Sequence, residues 1–465
     1  GRNACDIVKK ANGPGRPWKE GKRHMERVDT VLLGEWLLTM DGRDTRFKNG
    51  GIAVRGDRIV AVGPREVIAE RYEGRETVDM PRGLIMPGLV NSHTHAAMTC
   101  FRGIADDLPL MEWLNDYIFP AEAKNVNPEL AYWGSLLACA EMILSGTTTF
   151  CDMYIFEAET ALAAREAGVR CLLGEVLFDF PSPSVKTPKE GLEYTERMIR
   201  DWAGDPLVNI VVEPHALYTC SPDLLREAGK LAEKHQVPIA THFLETAGEK
   251  AMLEEKLGRK PVHYLQELGY LHGRFFAFHA VAMDEEDINL FARHGCGVVH
   301  NPESNMKLAS GVAPVSAMLR EGVTVGLGTD GCASNNNLDM LQEMDTAAKL
   351  EKCARLDPTI QSAETVLRMA TIEGAKVLDL DGLTGSLEAG KKADIVVLDI
   401  GKPHLTPLYN PVSHLVYAAS GADVDSVWIN GRRVLKERKL LTVDVEAVMD
   451  RVRHISERIA GNLAP

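Results

Sequence analysis

The chain has 465 residues, 45% of them apolar and 25% charged, with a formal net charge of −14. That length accommodates one large domain and a smaller one. The acidic balance argues against nucleic acid or an anionic membrane as partner, because nothing offsets phosphate repulsion. No apolar run approaches the ~18 residues of a membrane span. Nine scattered cysteines without a C-x-x-C pair suit reduced thiols and a cytoplasmic setting.

Residues 1–24 are basic and rich in Gly and Pro, without the apolar centre of a secretory signal. They are set aside as a leader or an appended segment ahead of Met25. Residues 25–86 then read as short strands with glycine turns, and the turn at Arg55-Gly56-Asp57 points to a hairpin. A similar texture returns at 385–442, in ADIVVLDIG and VDSVWINGRRVLKERKLL. The two segments are expected to complete one small β-sandwich, with a terminal helix over 443–465.

Between them, 87–384 alternates apolar runs with helical segments. The runs are MPGLVNSHTH (86–95), TTTFCDM (147–153), RCLLGEV (170–176), VNIVVEPHALYTC (208–220), VPIATHFLET (237–246), FFAFHAVAM (275–283), GCGVVHNPESN (295–305) and VTVGLGTDG (323–331). Asn127-Pro128 and Ser221-Pro222 have the form of a cap followed by proline at the first helical position. Eight strand–helix units predict an α/β fold of the (β/α)8 TIM-barrel type. A doubly wound sheet for dinucleotides loses support, because no G-x-G-x-x-G opens a helix after the first strand.

In such a barrel, chemistry sits where strands end. His93 and His95 are two apart on a strand, so both imidazoles point to one side, as a metal clamp requires. His215, His242, His279, His300 and Asp330 fall at later strand ends, with Glu245 just beyond His242. Three imidazoles and a carboxylate suit one divalent ion: zinc, iron(II) or manganese. His300 lies in HNPESN, a polar turn that it can simply brace. A divalent ion brings the pKa of bound water down to about 7. Asp330 is placed to take the water proton, a buried Glu245 to protonate a ring nitrogen, and His279 to steady the attacking oxygen.

The motifs PGLVNSHTH, EWLNDYIFPAEA, PHALYTCSP, THFLET, FHAV, HNPESNMKLASG and GTDGCASNN carry a resemblance over nearly the whole chain. The sequence resembles the amidohydrolase superfamily, and within it the 5′-methylthioadenosine/S-adenosylhomocysteine deaminases. The resemblance implies His93, His95, His242 and Asp330 as ligands of one metal ion per chain, zinc first among the candidates. It implies Glu245 and His279, with Asp330, as the catalytic groups. It further implies Glu122 as the carboxylate that binds the ribose hydroxyls, with Trp113 and His215 at the purine. Glu245 and Asp330 would also touch the substrate. The expected substrate is a small nucleoside, and a homo-oligomer is compatible with the sequence. Members of this group can carry an arginine after the third barrel strand. Here 171–196 has none, and only Lys186 or Lys189 stands near. The rival readings are a triazine chlorohydrolase, a guanine-type deaminase, and a non-enzymatic protein with a structural metal.

Overall fold

A computed structural model describes residues 25–463, so the expected leader lies outside the described residues. The two ends of the chain share one eight-stranded sheet. Glu26–Leu38, Arg46–Arg55, Arg58–Pro64 and Tyr72–Pro87 come from the N-terminal side. Ile395–Asp399, Val424–Ile429, Arg432–Lys436 and Lys439–Leu440 come from the C-terminal side. The seam is antiparallel, with Ile395 opposite Pro87 and Asp399 opposite Gly83. The expected hairpin turns at Gly56, whose φ of +58° suits glycine. Alternation sorts the first strand's side chains: Leu32 joins Ile52, Ile85, Ile395 and Trp428 in one cluster. Val31 and Leu33 join Ala53 and Ile68 in another. Ile68 comes from a helix, Arg65–Arg71, in a stretch read from the sequence as strands and turns.

The central segment forms parallel strands in chain order. Leu89–Thr94, Thr147–Tyr154, Arg170–Leu177 and Val208–Ile210 make one sheet, with Glu213–Pro214 pairing beside the third strand. Ile239–Phe243, Phe275–His279, Gly297–His300 and Thr324–Leu327 make a second. Bridges Val212–Ile239 and Ala216–His242 connect the two. At the opposite edges the Asp330 N–H donates to the His93 carbonyl at 3.0 Å. The result is a curled parallel array with every strand end on one side.

Local chemistry sets the helices between the strands. Asn127 caps Pro128–Leu144 by accepting from the Leu130 N–H at 3.0 Å. Ser221 caps Pro222–His235 in the same way, and Leu224, Leu225, Ala228, Leu231 and Ala232 form its buried stripe. HNPESN departs from expectation. It is not merely a turn, because Pro302 opens a short helix, Pro302–Lys307. Arg170, at the foot of the third parallel strand, meets Asp394, the residue before the strand Ile395–Asp399, at 2.8 and 3.1 Å. Both side chains are fully buried.

Candidate metal centre and active site

At the strand ends His93, His95, His242, His279 and Asp330 converge. The trios His93–His242–His279 and His93–His95–Asp330 each bring their ligand atoms within 4.8 Å of one another. Asp330 Oδ1 lies 3.4 Å from His93 Nε2 and 3.1 Å from His95 Nε2. The backbone sets the tautomers. His95 Nδ1 is 2.5 Å from the Met153 carbonyl and His242 Nδ1 is 2.8 Å from the His215 carbonyl. Each Nδ1–H therefore donates outward and leaves the Nε2 lone pair facing the cluster. His93 is fully buried, stacks on Phe278 at 3.8 Å, and has no hydrogen-bond partner on either ring nitrogen. An orphaned buried imidazole is costly. A cation beside its lone pair removes that cost, so these residues fit a divalent ion.

Burial dominates the titration of most of these groups. It pushes His93 and His215 down to about 3 and His242 well below the usual imidazole range. Burial also acts on His95, but Asp330 outweighs it and lifts that ring to about 9, so a metal ion bound at Nε2 would displace a proton there. Asp330 is buried too, yet His93 and His95 hold its carboxyl well below the carboxylate range. Glu245 is displaced upward, first by burial and then by the Asp330 charge, against the opposing pull of His279. Burial thus favours the protonated form of Glu245, while the neighbouring histidines favour the ionised form of Asp330.

His279 Nε2 stands 3.9 Å from both Glu245 Oε2 and Asp330 Oδ2. Its φ of +69° and the +63° of Asp330 are unusual for residues with a Cβ. Asp330 is braced from three directions. The Gly331 N–H donates to Oδ1 at 2.8 Å, while Ser304 and Ser334 Oγ donate to Oδ2 at 2.7 and 3.1 Å.

His95, His242, His279 and Asp330 of the cluster line one cavity, together with Glu245. Glu122, Trp113 and His215 line the same cavity, together with apolar residues such as Leu114, Ile118, Phe119 and Phe178. Glu122 is pushed up to about 7 by burial, which the Tyr154 hydroxyl and His95 oppose. That hydroxyl lies beside Glu122 without completing a hydrogen bond. His215 Nδ1 is 2.9 Å from Thr219 Oγ1. Sequence reasoning placed nothing at Tyr154, Ser304 or Asn305. Only the quoted HNPESN motif pointed towards the last two.

Three residues weighed from the sequence, His300, Lys186 and Lys189, lie outside the cavity lining. His300 is buried but does not line the cavity. Lys186 and Lys189 are exposed, and Lys189 pairs instead with Glu193 at 3.6 Å. Among the described residues, no lysine or arginine lines the cavity.

Residues 84–434 match the model of the amidohydrolase family, and 50–72 match the imidazolonepropionase-like composite domain of bacteria. The chain is 64% identical to 5-methylthioadenosine/S-adenosylhomocysteine deaminase 1 of Syntrophus aciditrophicus (strain SB), over 94% of this chain and 99% of that protein. An adenosine deaminase from Xanthomonas campestris, solved with bound zinc, superposes with a TM-score of 0.92 at 38% identity, covering 94% of this chain and all of that one. Atrazine chlorohydrolase from Arthrobacter aurescens TC1, solved with zinc, gives 0.84 at 23% identity, over 92% of this chain and all of that one. At that identity the likeness shows the fold alone. The chain therefore belongs to the amidohydrolase family and, within it, to the 5-methylthioadenosine/S-adenosylhomocysteine deaminases.

Proposed function

We propose that this protein is a metal-dependent hydrolytic deaminase of 5′-substituted adenosines, including 5′-methylthioadenosine and S-adenosylhomocysteine. The observation that carries this reading is one cavity that holds Glu245, His279 and Asp330 beside the histidine cluster and also holds Glu122. Its scaffold is a closed (β/α)8 barrel over 87–384. The eight-stranded sheet from 25–86 and 385–442 would fold over the cluster of Leu32, Ile52, Ile85, Ile395 and Trp428 as a small β-sandwich, with a helix over 443–465. The eight described cysteines are free, which suits the reducing cytoplasm.

His93, His95, His242 and Asp330 would hold one divalent ion, zinc by analogy with the Xanthomonas campestris deaminase. When bound, that ion supplies Lewis acidity, which makes water nucleophilic at neutral pH. Asp330, held as a carboxylate, accepts the proton that the attacking water loses. Glu245, whose protonated form burial favours, donates to N1 of the adenine as oxygen adds at C6. His279 orients the incoming oxygen from the other side. Asp330 returns its proton to the C6 amino group, which leaves as ammonia while the new C6 hydroxyl gives its proton back to Glu245, and the 6-oxo purine of an inosine analogue remains. His215 and Trp113 flank the base. Glu122 accepts from the two vicinal ribose hydroxyls, which a free nucleobase or a chlorotriazine lacks.

The test is ammonia release from 5′-methylthioadenosine, S-adenosylhomocysteine, adenosine, guanine and a 2′,3′-dideoxyadenosine. Ribonucleosides should turn over and the dideoxy analogue should be poor. Equal rates for ribo and dideoxy substrates would mean that the sugar is not read. Chloride from a triazine with no ammonia from any adenosine would transfer the reading to a dechlorinase.

A further inference from the structure

The helix Pro302–Lys307 touches both Asp330 and His279, and none of the steps above uses it. Ser304 and Asn305 are adjacent and fully buried. Ser304 reaches Asp330, while Asn305 Oδ1 lies 2.9 Å from His279 Nδ1. We propose that Asn305 is a positioning residue that fixes the tautomer of His279. By accepting from Nδ1–H, it leaves Nε2 as an unprotonated lone pair turned into the cavity.

A neutral imidazole carries one N–H, so Nδ1 cannot donate to one partner and accept from another. Asn301 Nδ2 also approaches Nδ1, at 3.3 Å. The contact with Asn305 is shorter and has the normal length of an N–H···O bond. Asn305 has no competing use for its side chain. Its Nδ2 has no partner, and its backbone N–H and C=O are already taken by Asn301 and Ser310. Burying a half-satisfied amide is costly. Packing alone would favour an apolar residue there, whereas orientation of the ring explains the amide. The resulting Nε2 lone pair sits 3.9 Å from both Glu245 and Asp330. There it accepts a hydrogen bond from the attacking water, the role the opposite tautomer gives up. The tautomer rests on the shorter contact with Asn305, while its effect on rate rests on the deaminase reading.

The experiment uses zinc-loaded protein labelled with ¹⁵N-histidine, with the His279 signals assigned by their loss in His279→Gln. The parent should show a protonated Nδ1 and a bare Nε2 at His279. Asn305→Leu, of similar volume but without an acceptor, should lose that signature. Its kcat for 5′-methylthioadenosine should fall by about 10–100-fold, the usual cost of losing an orienting partner around a metal site. KM and zinc per chain should stay within about two-fold if only orientation is lost. Asn305→Asp keeps the acceptor and should recover kcat to within about five-fold of the parent. A parent protonated on Nε2, or a Leu variant with full kcat, overturns the proposal. If the Leu variant does not fold, the spectrum of the parent still decides. If the parent deaminates no adenosine, the deaminase reading fails while the tautomer is still read.

Discussion

The Met153 carbonyl accepts from His95 Nδ1–H at 2.5 Å, and so decides which nitrogen of His95 faces Asp330. The His215 carbonyl does the same for His242 at 2.8 Å. Neighbouring strands therefore hold the two rings in ligand form through main-chain atoms that side-chain substitution leaves in place.

From this it follows that His242→Ala removes a ligand without removing its support. Purified parent protein should carry about one divalent ion per chain. The variant should lose both metal and turnover while its circular dichroism stays native. Stoichiometric metal with full activity in that variant would remove His242 from the site.

Glu245 is expected to act on protons and not on the metal. Glu245→Gln should keep its metal and lose about 10²–10⁴ in kcat, the range for a general acid–base group. Metal analysis beside steady-state kinetics separates the two roles. Loss of metal would make Glu245 a ligand.

Much of this site was legible in the sequence because its elements are local. His93 and His95 share a side through strand periodicity, and each of the eight apolar runs contains a parallel strand. Other features depend on contacts between distant segments. The carbonyls of Met153 and His215 have no sequence signature as acceptors. Ser304 and Asn305 looked like turn residues, although Pro302 at the first helical position was a readable signal. The helix Arg65–Arg71 was missed because it presents one buried residue, Ile68, too few for a periodic pattern.

The pH dependence of ribonucleoside binding should follow Glu122. Burial pushes its pKa up to about 7, so it is neutral below and ionised above that pH. Only the ionised form accepts from both ribose hydroxyls. kcat/KM for 5′-methylthioadenosine should therefore rise between about pH 6 and 8, whereas Glu122→Gln should be slower and lack that limb. A pH profile unchanged by the substitution would assign the limb to another group.

The 5′ substituent should matter through its charge. No described lysine or arginine lines the cavity, and Lys307, next to Leu308 on its wall, already pairs with Asp106 and Asn336. A zwitterionic homocysteine tail held in the cavity would meet no basic side chain among its lining residues, and burying an unpaired charge is costly. 5′-Methylthioadenosine should exceed S-adenosylhomocysteine in kcat/KM by on the order of ten-fold, about 1.4 kcal/mol. Equal values would show that the tail finds a partner or stays in water.

The central claim is metal-dependent removal of the C6 amino group, and one reconstitution measures it. Chelator-treated protein should release no ammonia from 5′-methylthioadenosine. One equivalent of Zn²⁺ per chain should restore release, with the 6-oxo purine nucleoside formed in equal amount. Undiminished ammonia release from protein shown to be metal-free, or a fully metal-loaded protein that leaves every adenosine unchanged, would contradict it.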